Sequence, residues 1–277
     1  SIIIYIRNEI YRKIKIKMRP KKSLSQNFLN DEKILNLIVN SGNIKRDDIV
    51  LEIGPGTGNL TEKIIEKKPS KLIVIEKDKE LSKKLKDKFD KNLTVVNDDI
   101  LNCFNKFKFD KPIKVFGNLP YNISTKILTS FIKIDNLNKF FLQFLFIFQK
   151  EVADRIVANY NTKQYGRLSI LSSWKMNSHK LFDISPKCFF PIPKVWSSLI
   201  LLDPKKKIDI INKSKNLEHI TNIFFNQKRK MIKKPMKQLF DNYIDISNQL
   251  GIDLSLRPQN LSVKKYVEIC RCYEDLS

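Results

Sequence analysis

From Ile49 onward the chain alternates between compact apolar runs and longer stretches whose apolar residues recur every three or four positions. The runs at 49–53, 72–75, 93–96, 113–116 and 140–148 are short and rich in β-branched and aromatic residues, and they read as buried strands. Between them, 59–68, 78–89, 124–134 and 149–159 carry helical spacing. Strands and helices alternating in this way predict βαβ units and a parallel sheet. After residue 183 the texture changes. Pro186, Pro191 and Pro193 interrupt the pattern, 197–202 reads as a closing strand, and Pro204 with the lysines after it reads as a linker. Beyond it, 217–225, 230–240, 243–250 and 262–272 predict short helices with turns at Gly251 and Pro258. The chain divides into a basic N-terminal extension at 1–22, an α/β domain at 23–204 and a small helical domain at 205–277.

Composition narrows the class. With 277 residues, 42% hydrophobic and 29% charged, the chain has the make-up of a globular protein. Its longest apolar run, 140–148, falls far short of the roughly 20 residues a bilayer-spanning helix needs, so no membrane is expected as partner. Cys103, Cys188, Cys270 and Cys272 are irregularly spaced beside only two histidines. This predicts neither a disulfide framework nor a metal site, and places the chain in a reducing compartment, the cytoplasm or a eukaryotic organelle.

The formal charge of +23 favours a polyanionic partner. The excess is mostly lysine, as an A+T-rich gene would also give, so only local clusters nominate a surface. The clearest, 227–237, holds six basic residues and no acid, with Lys228, Arg229 and Lys230 at its head. Such a cluster positions phosphates without reading sequence. Residues 1–22 hold eight basic side chains against Glu9, which fits either the tail of an organellar presequence or an arm touching RNA.

The chemistry concentrates at the ends of the predicted strands. Gly54-Pro55-Gly56-Thr57-Gly58 follows the first strand and opens a helix, where glycines let backbone approach a ligand. The spacing is Gly-x-Gly-x-Gly, not the Gly-x-Gly-x-x-Gly of dinucleotide folds. Glu76 ends the second strand, placed to accept from both hydroxyls of a ribose, and Asn97-Asp98-Asp99 ends the third, where a carboxylate can accept from an adenine amine. A glycine loop, a ribose acid and an adenine acid at three successive strand ends match S-adenosylmethionine binding on a seven-stranded, Rossmann-like class I methyltransferase sheet.

After the fourth strand comes Asn118-Leu119-Pro120-Tyr121-Asn122-Ile123-Ser124-Thr125. Methylating a planar amine is hard because its lone pair is delocalised into the ring, so a site must hold the amine by acceptors. The Asn118 side-chain oxygen and the Leu119 carbonyl can be those acceptors, and Pro120 biases Leu119 toward extended geometry. Tyr121 can stack on the target base. No dedicated general base is required, because positioning and the sulfonium leaving group supply most of the effect.

These motifs, together with Ser25-Gln26-Asn27-Phe28-Leu29, Tyr165-Gly166-Arg167-Leu168-Ser169, Pro191-Ile192-Pro193-Lys194-Val195 and Phe225-Asn226-Gln227-Lys228-Arg229-Lys230, resemble the KsgA/Dim family of small-subunit ribosomal RNA adenine N6-dimethyltransferases. The resemblance implies S-adenosylmethionine-dependent dimethylation of two adjacent adenosines in the 3′-terminal hairpin of small-subunit rRNA. It implies a monomer that meets a small ribosomal subunit precursor late in assembly. It also implies that Gln26, Asn27 and Leu29 lie against the cofactor, that Gly54 and Gly56 form its loop, that Glu76 holds the ribose and Asp99 the adenine, and that Asn118 bridges cofactor and target. Phe189 takes the place of a second stacking aromatic opposite Tyr121, with Phe190 the alternative register. Trp196 departs from the family, which usually has Asp after Pro-Lys-Val, and the segment before Met18 exceeds the compact bacterial pattern. A large-subunit rRNA methyltransferase, and a noncatalytic ribosome-assembly or mitochondrial transcription factor, are the competing readings.

Overall fold

The computed structural model describes residues 26–89, 93–103 and 109–276; the basic segment 1–22 lies outside them. In chain order the strands are β1 (Phe28–Leu29), β2 (Ile49–Ile53), β3 (Lys71–Ile75), β4 (Thr94–Val96), β5 (Ile113–Asn118), β6 (Phe141–Gln149), β7 (Met176–Ile184), β8 (Phe189–Phe190) and β9 (Ser197–Pro204). Seven of them form one sheet in the order β4-β3-β2-β5-β6-β9-β7, and β1 pairs separately with β8.

The five apolar runs before residue 150 are the five parallel strands β2 to β6. The sheet is not parallel throughout. β9 runs antiparallel to both its neighbours, β6 and β7, and so lies inside the sheet rather than closing it. The edge belongs to β7, a strand the hydrophobic pattern does not announce: Asn177, His179, Lys180 and Asp183 interrupt it, because much of its surface faces solvent.

Burial of both sheet faces explains the continuous phenylalanine run of β6, since successive strand residues point to opposite sides. Phe144, Phe146 and Phe148 gather on one face, where the Phe131 ring sits 5.0 Å from that of Phe144. Leu145 and Ile147 go to the other, with Phe116 and with Leu35, Ile38 and Val39 of helix α1 (Glu32–Ser41). Asp31 caps that helix, its carboxylate accepting from the Ile34 amide at 3.0 Å.

The helices that follow the parallel strands are α2 (Asn59–Glu66), α3 (Lys79–Phe89), α4 (Ile100–Cys103), α5 (Ser124–Ile132), α6 (Leu137–Phe140) and α7 (Lys150–Ile156). Helix α8 (Arg167–Lys175) was not expected, because its serines disguise it. Ser169 and Ser172 are buried and satisfied, Ser169 donating to the Arg155 carbonyl at 2.6 Å and Ser172 to the Leu168 carbonyl at 2.7 Å. On α8 pack α9 (Ser214–Phe225) and α12 (Val263–Asp275), with α10 (Lys233–Leu239) and α11 (Tyr243–Leu250) beyond them. Leu217, Ile220, Phe224 and Tyr266 of this helical region join the same apolar cluster as Phe144 and Phe146 under the sheet. Among the described residues no helix is long and apolar enough to cross a membrane.

Candidate active site

The carboxyl ends of β2, β3, β4 and β5 open onto one cleft, the place where an open α/β sheet offers its crevice. Gln26, Asn27, Leu29, Gly54, Gly56, Glu76, Asp99 and the run from Asn118 to Ile123 all line it. Residues up to 97 positions apart in sequence thus meet where the strand-end reading expects them.

Gly54 and Gly56 have φ of +66° and +57°, values that favour glycine. A Cβ at Gly54 would meet within 4 Å only the Asn118 carbonyl oxygen, at 3.7 Å, and would stand in the open cleft; at Gly56 it would strike the Phe28 ring at 2.8 Å. The loop is therefore a cradle that side chains would fill, which fits a ligand lying against bare backbone.

Glu76 is 6% exposed, with Oε2 accepting from the Gly56 amide at 3.1 Å and Oε1 from the Asp78 amide at 2.8 Å. Burial pushes its carboxyl above the usual range despite those bonds. Asp99 differs. Burial works against its charge, yet the Leu101 amide and the Lys77 ammonium, each 3.0 Å away, outweigh it and hold the carboxyl below its ordinary value. Two acids with these partners suit the hydroxyls of a ribose and the amine of an adenine.

The entry segment is tied over the cleft from several sides. Asn118 Nδ2 donates to the Asn27 carbonyl at 2.7 Å, Asn59 Nδ2 to the Leu29 carbonyl at 2.8 Å, and Gln26 Nε2 to Asp78 at 3.4 Å. The ladder β1–β8 sets Leu29 opposite Phe189 and Phe28 opposite Phe190. Leu119 is 1% exposed with its side chain in the core, which fixes the main chain between Asn118 and Tyr121. The Tyr121 hydroxyl lies 2.6 Å from Ser197 Oγ, at the start of β9.

Two expectations require correction. Phe189 is 2% exposed, packed with Leu29 and Ile38 in the apolar cluster, and does not line the cleft; Phe190 beside it is half-buried. Neither ring is among the residues that line the cleft. Lys228 is not a free surface cation: its ammonium donates to the carbonyls of Lys163 at 2.6 Å and Tyr165 at 2.8 Å. Arg229 and Lys230 are exposed.

Sequence reasoning assigned no role to Phe28, Glu52, Asn59 or Lys77, though all four line the cleft. Glu52 is 1% exposed and accepts from the Thr61 hydroxyl at 2.6 Å. Burial pushes its carboxyl up to about 8, Thr61 opposes this, and the nearby Glu76 adds to it. The signal was an acid inside an apolar strand, where a charge is costly without a partner.

A seven-stranded sheet with one reversed strand second from its edge, and a cofactor cradle after its first long strand, is the architecture of a class I methyltransferase, and S-adenosylmethionine is its cofactor. The chain belongs, more narrowly, to the ribosomal RNA adenine dimethylase family, whose model matches residues 17–275. It is 51% identical over 259 residues to a "Ribosomal RNA small subunit methyltransferase A" from Pelagibacter ubique, covering 94% of this chain and 98% of that one. A crystal structure of a dimethyladenosine transferase from Plasmodium falciparum superposes with a TM-score of 0.75 at 27% identity, covering 87% of this chain and 95% of that one. The 23S rRNA methyltransferase ErmE shares the fold, with a TM-score of 0.67 at 19% identity over 89% of this chain and 99% of that one.

Proposed function

We propose that this chain dimethylates N6 of two adjacent adenosines near the 3′ end of small-subunit ribosomal RNA, during assembly of the small subunit in a bacterial-type cytoplasm. The observation that carries the reading is the Asn118 amide, tied to Asn27 directly beside the glycine cradle. Its nitrogen is engaged by a carbonyl, so its oxygen is the atom left to accept from an incoming amine.

When bound, S-adenosylmethionine supplies an electrophilic methyl on a sulfonium. Gly54 and Gly56 present bare backbone to it, Glu76 the ribose acceptor and Asp99 the adenine acceptor. Asn118 Oδ1 and the Leu119 carbonyl accept from the two N–H bonds of the adenine amine, turning its nitrogen toward the cofactor side. Tyr121 stacks on the extruded purine, since a base inside a helix is out of reach. Burial raises the Tyr121 phenol above its usual value, and the Ser197 contact opposes this only in part. The phenol stays protonated and acts as a wall rather than a base. The proton released as nitrogen becomes cationic passes to solvent along the open side of the cleft.

Arg229 and Lys230 hold phosphates of the RNA. The relatives' names favour the small subunit over the large. The test is incubation with labelled cofactor and undermethylated small subunits, followed by mapping of the labelled bases. Label at two neighbouring adenosines of the small-subunit rRNA is expected; label elsewhere, or none, refutes the assignment.

A further inference from the structure

The loop leading into β9 carries Trp196, 51% exposed, on the rim of a groove beside the cleft. Lys150, Arg155, Lys163 and Lys194 line that groove against two carboxylates, Glu151 and Asp154. Arg155 is paired with Glu151, Lys150 with Asp183 and Asp154 with Lys180, so the excess positive charge of the groove rests on Lys163 and Lys194. Lys163 also lines a second groove that continues to Lys126 and Arg167. A positive path therefore runs from the indole toward the C-terminal helices.

The main chain that carries the indole is fixed relative to the target site. The Trp196 carbonyl accepts from the Lys150 amide at 2.8 Å, and the next residue, Ser197, holds the Tyr121 hydroxyl. Apart from Val195, the remainder of the groove lining is polar or charged. A protein partner would meet little apolar surface there, whereas a nucleic-acid strand meets an aromatic face flanked by cations, the arrangement that binds single strands.

We propose that Trp196 is a stacking platform for an RNA base flanking the one to be methylated, with Lys163 and Lys194 holding the phosphates around it. This rests on the RNA-methylating reading and adds to it an aromatic contact outside the cleft that holds Tyr121.

The experiment compares the wild-type chain with Trp196→Ala and Trp196→Phe. Two readouts are taken: methyl transfer to undermethylated small subunits and to protein-free small-subunit rRNA, and fluorescence on titration with a single-stranded RNA oligonucleotide containing adjacent adenosines. The chain has two tryptophans, and Trp174 is buried with its indole bonded to the Asp209 carbonyl at 2.7 Å, so quenching reports on Trp196. The oligonucleotide is expected to quench. Trp196→Ala is expected to raise KM for RNA roughly 5- to 150-fold with kcat and cofactor affinity unchanged, and Trp196→Phe to recover most of the loss. Absent quenching with an unchanged KM overturns the platform. A loss confined to assembled subunits, without quenching, assigns the indole to a protein partner and also overturns it. Wild-type enzyme that methylates neither substrate refutes the functional reading instead, and quenching then decides the platform by itself.

Discussion

The side-chain nitrogen of Asn118 donates to the main-chain oxygen of Asn27, 91 residues earlier, at 2.7 Å. This bond fixes which way the amide faces. Aspartate at 118 would set a carboxylate against that carbonyl, and alanine would leave the amine one acceptor short. Asn118→Asp and Asn118→Ala should each lower methyl transfer by about 10²-fold, the scale of a misplaced reacting group. Single-turnover transfer of labelled methyl checks this, and a rate within a few-fold of wild type would remove Asn118 from the chemistry.

On the proposed reading, Tyr121 contacts the target base and not the cofactor. Tyr121→Ala removes a stacking face worth roughly 1–3 kcal/mol per base, while Tyr121→Phe loses only the Ser197 contact. The alanine variant should lose most of its transfer rate at subsaturating RNA and the phenylalanine variant little, with cofactor affinity by calorimetry unchanged in both.

Asp99 should behave in the opposite way. Its carboxylate is held charged by Leu101 and Lys77, ready to accept a hydrogen bond. A charge-assisted bond contributes about 1.5–3 kcal/mol, so Asp99→Ala should weaken S-adenosylmethionine binding by roughly tenfold or more. Calorimetry with the cofactor alone measures it, and unaltered affinity would end the adenine assignment.

The basic cluster should divide. Arg229→Ala and Lys230→Ala should each flatten the salt dependence of RNA binding by about one unit of log–log slope. Lys228→Ala should leave the slope unchanged and instead lower the unfolding midpoint, because two carbonyls lose their donor. The reverse pattern would restore Lys228 to the RNA surface.

Glu52 sets a pH dependence of stability. Its carboxyl rises from an ordinary 4.5 to about 8 in the fold, so between those values the folded chain binds more protons than the unfolded one. Its contribution is therefore most favourable at or below the lower value, declines as pH rises and levels off above about 8. Glu52→Gln should remove that decline. Parallel denaturant titrations across the window check it, and identical pH profiles would show that Glu52 is ionised throughout.

How much was legible in sequence follows from where each signal originates. Strands β2 to β6 were visible because both sheet faces are covered, which leaves unbroken apolar runs, and the glycine loop because its backbone needs positive φ. Strand β7 stayed hidden because an edge strand facing water alternates irregularly, and α8 because buried serines bond to nearby carbonyls and mimic a polar surface. At the site, Glu76 and Asp99 followed from strand ends. The Asn118–Asn27 bond, the inward turn of Phe189 and the capture of Lys228 by two carbonyls depend on tertiary contacts that local spacing does not encode.

The pairing of β1 with β8 knits the opening segment of the described chain to the loop before the reversed strand. The segment whose Leu29 lines the cleft and the loop that runs on to Trp196 and Ser197 thus share a single hem. A disturbance that lifts this hem would therefore be felt on both sides of the cleft at once, unlike the loss of a single side chain within it.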